Sequence, residues 1–238
     1  MRKSLVFLIL SAVAQAPLLA LDQPAGASID RILQNYIHAV GGQAAIDRIQ
    51  TREVRAGKLT YFWQKPNKVL LLTKKEKIGY DGSGGWVLSK KKHLTRLPKH
   101  AEQPLEIDAN PIRYVHLKTL YFQINPAPSE EVDGIKMDVL VAPNDIGATK
   151  FYFDQSTHLL TRIDETGETS AYYKQTIEFL NYKEVDGVRL PFRIIHSSNE
   201  PGKGTEDIRI SQIRQNIDLK PEIFSKPTEG AIVLGGKR

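Results

Sequence analysis

Glu130-Glu-Val-Asp-Gly-Ile-Lys-Met-Asp-Val139 and Tyr182-Lys-Glu-Val-Asp-Gly-Val-Arg-Leu-Pro-Phe192 share one tetrapeptide, Glu-Val-Asp-Gly, at 131–134 and 184–187. Asp-Gly gives a backbone an inexpensive pair of positive-φ positions, which a two-residue hairpin turn requires, and strand-like residues flank both copies. Between them lie Lys150-Phe-Tyr-Phe-Asp154 and Leu159-Leu-Thr-Arg-Ile-Asp164, separated by Gln-Ser-Thr-His. The stretch therefore reads as a meander of antiparallel strands. The pattern continues beyond it. Tyr173, Ile177 and Phe179 alternate with Lys174, Thr176 and Glu178, and Val188, Leu190, Phe192 and Ile194 alternate with Arg189 and Arg193, so each strand has one apolar and one wet face. Thr205 to Ile213 supplies a last strand, and Pro221 to Phe224 a final helical turn.

Upstream the period changes twice. Ile29, Ile32, Leu33, Tyr36, Ile37 and Val40 fall at helical spacing, with Ser28 placed to cap the start and Gly41-Gly42 to stop it. Gln43 to Ile49 adds a second short helical turn. The pair would lie across a sheet, either as a movable lid or as a permanent part of the core. From Thr51 to Leu94 the reading is again strands, with turns at Pro66-Asn67 and at Tyr80-Asp-Gly82. Lysine runs at 74–77 and 90–92 would be solvated hairpin ends that discourage edge pairing, or a docking patch for acidic partners. Pro98 to Gln123 reads as a helical insert beginning near Pro111, with Ile112, Val115, Leu117, Leu120 and Tyr121 building its apolar face, Leu117 fitting the spacing less well, and Asn125-Pro-Ala-Pro128 reads as a break.

At 238 residues and 41% hydrophobic content the chain can bury a substantial core as one domain. It has no cysteine, which excludes disulfides, thiol nucleophiles and cysteine-ligated metals. Its net charge of +6 suits weak attraction to anionic surfaces and is too small for a nucleic-acid binder. Met1-Arg-Lys-Ser, the apolar run Leu5–Val13 and the small residues Ala14, Ala16 and Ala20 follow the order of a secretory leader. The expected division is a signal peptide over 1–20, one domain over 28–227 and a polar tail over 228–238, giving a soluble periplasmic monomer.

Catalytic signatures are missing. No G-x-S-x-G, H-E-x-x-H or G-x-x-x-x-G-K-[ST] occurs, the six histidines are scattered, and Asp81, Asp133 and Asp186 all stand in Asp-Gly turns. No cofactor, metal site or catalytic residue is nominated, and the chain is expected not to be an enzyme. An envelope hydrolase would need carboxylates or histidines that only the fold brings together.

Ile32-Leu-Gln-Asn-Tyr-Ile-His-Ala-Val-Gly-Gly42, Tyr80-Asp-Gly-Ser-Gly-Gly-Trp86, Phe151-Tyr-Phe-Asp-Gln-Ser-Thr-His-Leu-Leu160, Tyr182 to Phe192 and Ile223-Phe-Ser-Lys-Pro227, in that order, resemble the exported LolA/LolB-like lipoprotein-carrier superfamily and its outer membrane lipoprotein-sorting relatives. The resemblance implies an α+β, mainly antiparallel β fold: an incomplete (half) β-barrel with helices covering the concave face. It further implies a lipid or lipoprotein acyl chain as ligand and envelope membrane proteins as partners. The expected lipid-binding lining is Trp63, Trp86, Leu88, Val139, Phe151, Phe153, Tyr173, Phe179, Phe192 and Ile194. The competing expectation is an envelope sensor or protein-interaction module of the same fold with a filled interior.

Overall fold

The computed structural model describes residues 28–99, 102, 105, 113–144, 147–166 and 172–227. The leader, His100, the expected helix start at Pro111 and the tail from 228 lie outside them. Fourteen strands among these residues form two antiparallel seven-stranded sheets. The first contains β1 (Thr51–Ala56), β2 (Leu59–Gln64), β3 (Lys68–Leu72), β4 (Glu76–Tyr80), β5 (Gly85–Ser89) and β6 (Leu94–Arg96) in chain order, with β14 (Gln212–Gln215) outside β1. The second contains β7 (Asn125–Val132), β8 (Ile135–Asn144), β9 (Gly147–Asp154), β10 (Leu160–Thr166), β11 (Lys174–Val185), β12 (Val188–Ser198) and β13 (Gly204–Arg209), also in order.

One segment joins the sheets. β13 pairs with β12, and the Ile210 N–H still donates to the Phe192 carbonyl; one residue later the Ser211 N–H donates to the Arg55 carbonyl, and β14 continues along β1. The last strand read from sequence is thus one path that changes sheets at Ile210-Ser211. The result is a single curved surface, open between the free edges β6 and β7, which is the half-barrel expected from sequence.

Local chemistry explains the turns. Asp133 and Gly134 have φ of 52° and 79°, and Asp186 and Gly187 have 51° and 79°, so both Asp-Gly pairs sit in the double positive-φ hairpin turn. The Asn125-Pro-Ala-Pro128 segment corrects the sequence reading, because it is not a break but the start of β7. Proline has no N–H to give a ladder and is tolerated at a sheet edge, which is where β7 lies.

Helix α1 (Ile29–Ala39) begins where the Arg31 N–H donates to Ser28 Oγ at 3.3 Å and ends before Gly41, at φ 120°. A short α2 (Gln43–Asp47) follows. The middle insert retains a 3₁₀ turn, Arg113–His116, running into α3 (Leu117–Leu120). All three lie on the inner side of the curve. The far end of α1 is fastened to the β11–β12 hairpin: the Arg189 N–H donates to the Val40 carbonyl at 2.9 Å, and Gly41 lies so close to Gly187 that a Cβ would stand 2.0 Å from its carbonyl oxygen.

Candidate functional site

The inner surface of the half-barrel divides into a covered and an open part. Over the second sheet, α1, the 3₁₀ turn and α3 lay Ile32, Leu33, Tyr36, Val115 and Leu117 onto Leu140, Phe151, Phe153, Ile163 and Phe179, all buried in one cluster. Three edge-to-face ring pairs lock the layers together, Tyr36–Phe153 at 5.4 Å, Tyr114–Phe179 at 5.5 Å and Tyr121–Phe151 at 5.4 Å. Burial pushes the Tyr36 and Tyr182 phenols well above their ordinary pKa and Tyr121 up to about 12, so all three stay neutral and serve as packing groups.

The first sheet shows the same alternation with a different outcome. Its inner face carries two cross-strand rows. The row Arg52, Trp63, Val69, Tyr80 is buried, with Trp63 packed on Ala45 and Ile49 beside α2 and on Val188 and Leu190 of β12. Two residues further along each strand lies the row Ile213, Val54, Tyr61, Leu71, Ile78, Val87, in which each residue faces the next across a strand pair. Every member is only half-buried, and Val54, Leu71, Ile78 and Val87 belong to none of the packed clusters. Six strands therefore present a continuous apolar strip that the described residues leave partly in water.

A buried polar link marks the border between the two parts. Arg52, 4% exposed, donates from Nη2 to Gln215 Oε1 at 2.7 Å and from Nε at 3.2 Å, while Gln215 Nε2 donates to the Val185 carbonyl at 2.6 Å. Burial pushes the Arg52 guanidinium down to about 10, opposed by the nearby Tyr61 and Tyr36, so it carries its charge at neutral pH. This relay ties β1 to β14 and to β11 where the sheets meet.

The ten residues expected to line a lipid site are distributed unevenly. Phe151, Phe153 and Phe179 lie together under α1, with Ile194 half-buried against them. Trp63 shares the inner face but belongs to the α2 cluster. Trp86 and Leu88 are on the outer face of the first sheet, where Leu70, Leu72 and Leu94 meet Leu219, Ile223 and Phe224 of the C-terminal segment, and the Trp86 indole N–H donates to the Phe224 carbonyl at 2.9 Å. Gly79 makes room for that indole, since a Cβ there would sit 2.3 Å from the ring. Val139 is on the outer face of the second sheet with Met137 and Tyr152. Phe192 lies under the Lys183 ammonium, 4.8 Å above its ring, and Tyr173 is half-buried just before β11. The half-buried strip centred on Leu71 and Ile78 was missed. Its signal was present in the alternation of Lys77-Ile78-Gly79-Tyr80, but alternation alone does not say which face is left uncovered.

A cleft of about 530 Å³ lies elsewhere, at the fastened end of α1, lined by Asn35, His38, Thr157, His158, Glu184 and Arg189. It is open and mixed in polarity, unlike the apolar space expected beneath the helices. Among the described residues, the space under α1 is filled by side chains. No three metal-ligating side chains converge among those residues, and the turn carboxylates Asp81 and Asp154 are occupied by backbone and serine donors.

Solved structures share this arrangement. A DUF1329 family protein from Desulfovibrio piger superposes with a TM-score of 0.57 at 14% identity, over 83% of this chain and 97% of its own. A LolA superfamily protein from Nitrosomonas europaea gives 0.55 at 15%, over 84% and 98%. The fold is LolA-like. An outer membrane lipoprotein-sorting protein domain from Vibrio parahaemolyticus gives 0.53 at 15%, over 75% of this chain and 88% of its own. No known family's sequence pattern matches the chain, and no curated protein matches it. At such identities the likeness concerns the backbone alone, and the LolA-like half-barrel is what the chain shares with these proteins.

Proposed function

We propose that the chain is an exported, non-enzymatic binder of lipid or lipoprotein acyl chains, working in the periplasm as a monomer, with the cargo lying along the open part of the inner face. The observation that carries this reading is the half-buried strip Val54, Tyr61, Leu71, Ile78, Val87 on the concave side of an unclosed sheet. An alkyl chain along it would gain about 0.8 kcal/mol for each methylene removed from water, less the ordering of both partners. The LolA-like fold and the neighbour named for lipoprotein sorting favour acyl groups over other apolar ligands. Phe151, Phe153, Phe179 and Ile194 would join the lining only if α1 and α3 lifted from the second sheet.

The test is a titration with a fluorescent fatty acid, paired with mass spectrometry of organic extracts of protein purified from the envelope. Saturable binding that is lost in Leu71→Asp/Ile78→Asp, with cooperative unfolding retained, is the expected result. Absence of saturable binding and of extractable lipid would overturn it. The solid packing beneath α1 favours the second reading, an envelope interaction module. That reading predicts no lipid and a copurifying envelope protein.

A further inference from the structure

Three hairpin tips of the first sheet project from the same end: Gly57-Lys58 between β1 and β2, Thr73 to Lys75 between β3 and β4, and Lys90 to His93 between β5 and β6. They are held side by side, the Lys90 N–H donating to the Lys75 carbonyl at 2.7 Å. Together with Lys77 at the start of β4, they gather Lys58, Lys74, Lys75, Lys77, Lys90, Lys91 and Lys92, against one acid, Glu76. Without these eight residues the chain's 33 basic and 27 acidic side chains become 26 of each, so this one edge holds the entire net charge of +6. None of the seven lysines forms an ion pair with a described residue. All seven are exposed. Lys58 and Lys74 approach within hydrogen-bonding reach, and that contact holds the Lys74 ammonium below the ordinary lysine pKa. Such crowding of like charge is relieved by an external anion.

We infer that this lysine edge docks the protein on an anionic lipid bilayer. Lysines are compact, flexible charges that follow a diffuse field of headgroups, whereas a folded acidic partner would favour the fixed forks of arginine, and no arginine stands at the three tips. The half-buried strip Tyr61, Leu71, Ile78, Val87 begins two or three residues inward from the tips, on the inner face. A bilayer held at the edge therefore meets the apolar surface end-on, at a distance an acyl chain can cross. The docking is a property of the charged edge and stands apart from the cargo proposed above.

The experiment is flotation of the exported, processed protein with vesicles of phosphatidylcholine, alone or with about one-third phosphatidylglycerol. Binding to the anionic vesicles is expected to exceed binding to the neutral ones at least tenfold at low salt. It should fall by a similar factor when ionic strength is raised to about 0.2 M, where screening closes to within about 8 Å. Lys74→Glu/Lys75→Glu/Lys91→Glu should abolish it. Lys136→Glu/Lys174→Glu/Lys226→Glu, which changes net charge equally at exposed positions elsewhere, should retain most of it. Fatty-acid titration of the first variant separates docking from cargo, since its cargo affinity should be unchanged. Equal binding to both vesicle types, equal loss in the two triple variants, or tighter capture by soluble heparin or an acidic peptide than by vesicles would each overturn the inference.

Discussion

The two parts of the inner surface are made from the same strand pattern and end in opposite states. Over the second sheet, Phe151, Phe153 and Phe179 are almost completely excluded from water by α1 and by the rings of Tyr36, Tyr114 and Tyr121. Over the first, Leu71, Ile78 and Val87 alternate just as regularly and remain partly exposed. The difference lies in what covers each strand set. An amphipathic helix packs across the second sheet and stops at Gly41-Gly42. Among the described residues the inner face of the first sheet is met by the α2 region, by Val188 and Leu190, and by Leu105 on Tyr61, Val69 and Tyr80, and Leu71, Ile78 and Val87 stay outside these clusters. Burial that stabilises the fold is concentrated in one part, and exposed apolar surface, which favours a ligand, is left in the other.

The largest test of that division removes a ring from the covered part. Phe153→Ala deletes a side chain that is 2% exposed and leaves a cavity against Tyr36, so a loss of about 3–5 kcal/mol is expected in the unfolding free energy from urea titration. A loss below about 1 kcal/mol would show that α1 is not packed there in solution. Next in size is the fastening of α1 to the β11–β12 hairpin. Gly41→Ala forces a Cβ into the Gly187 carbonyl at a φ of 120°, and about 1–3 kcal/mol of destabilisation is expected. Protection of the Arg189 amide against hydrogen exchange should fall with it, because that N–H donates to Val40.

A third prediction concerns acid. Glu53, 2% exposed, lies on the outer face of β1. Desolvation raises its pKa, but hydrogen bonds from Arg55 at 2.7 Å and Arg214 at 2.6 Å outweigh that, so the carboxyl titrates below its ordinary value. A depressed folded pKa contributes stability that is fully present above the unfolded value of about 4.3 and is lost as pH falls through the folded one. Stability measured from pH 6 down to pH 3 should therefore decline less steeply in Glu53→Gln, from a lower starting point, than in the parent. Parallel curves would remove Glu53 as a source of acid sensitivity in the first sheet.

Much of this arrangement was legible from residues. The paired Asp-Gly turns, the Ser28 cap, the Gly41-Gly42 stop and the alternating strands all depend on neighbours in sequence, and each took the expected form. The edge strand β7 was hidden, because two prolines argue against a strand unless it is known to lack a partner on one side. The facing of the tryptophans was hidden for another reason. Trp63 and Trp86 sit in equally good strands, but the first sheet is apolar on both sides. Only the return of Phe224, 138 residues beyond Trp86, decides that Trp86 looks outward. The open strip was obscured in the same way, since a row of half-buried side chains is defined by a helix that does not reach it.

The smallest stability effect is the sharpest test of the comparison. Ile78→Ala removes about three methylene-sized groups from a side chain that is partly exposed, so its unfolding cost should be about 1–2 kcal/mol, below that of Phe153→Ala. Fatty-acid affinity should reverse the ranking, with Ile78→Ala weakened several-fold and Phe153→Ala, measured where it remains folded, weakened less. The reversal follows because a ligand can gain only from surface that folding has left exposed, and Ile78 has such surface whereas Phe153 has almost none. If both substitutions weakened binding equally, α1 would have to lift from the second sheet to admit the cargo. The covered and open parts would then form one site with two states.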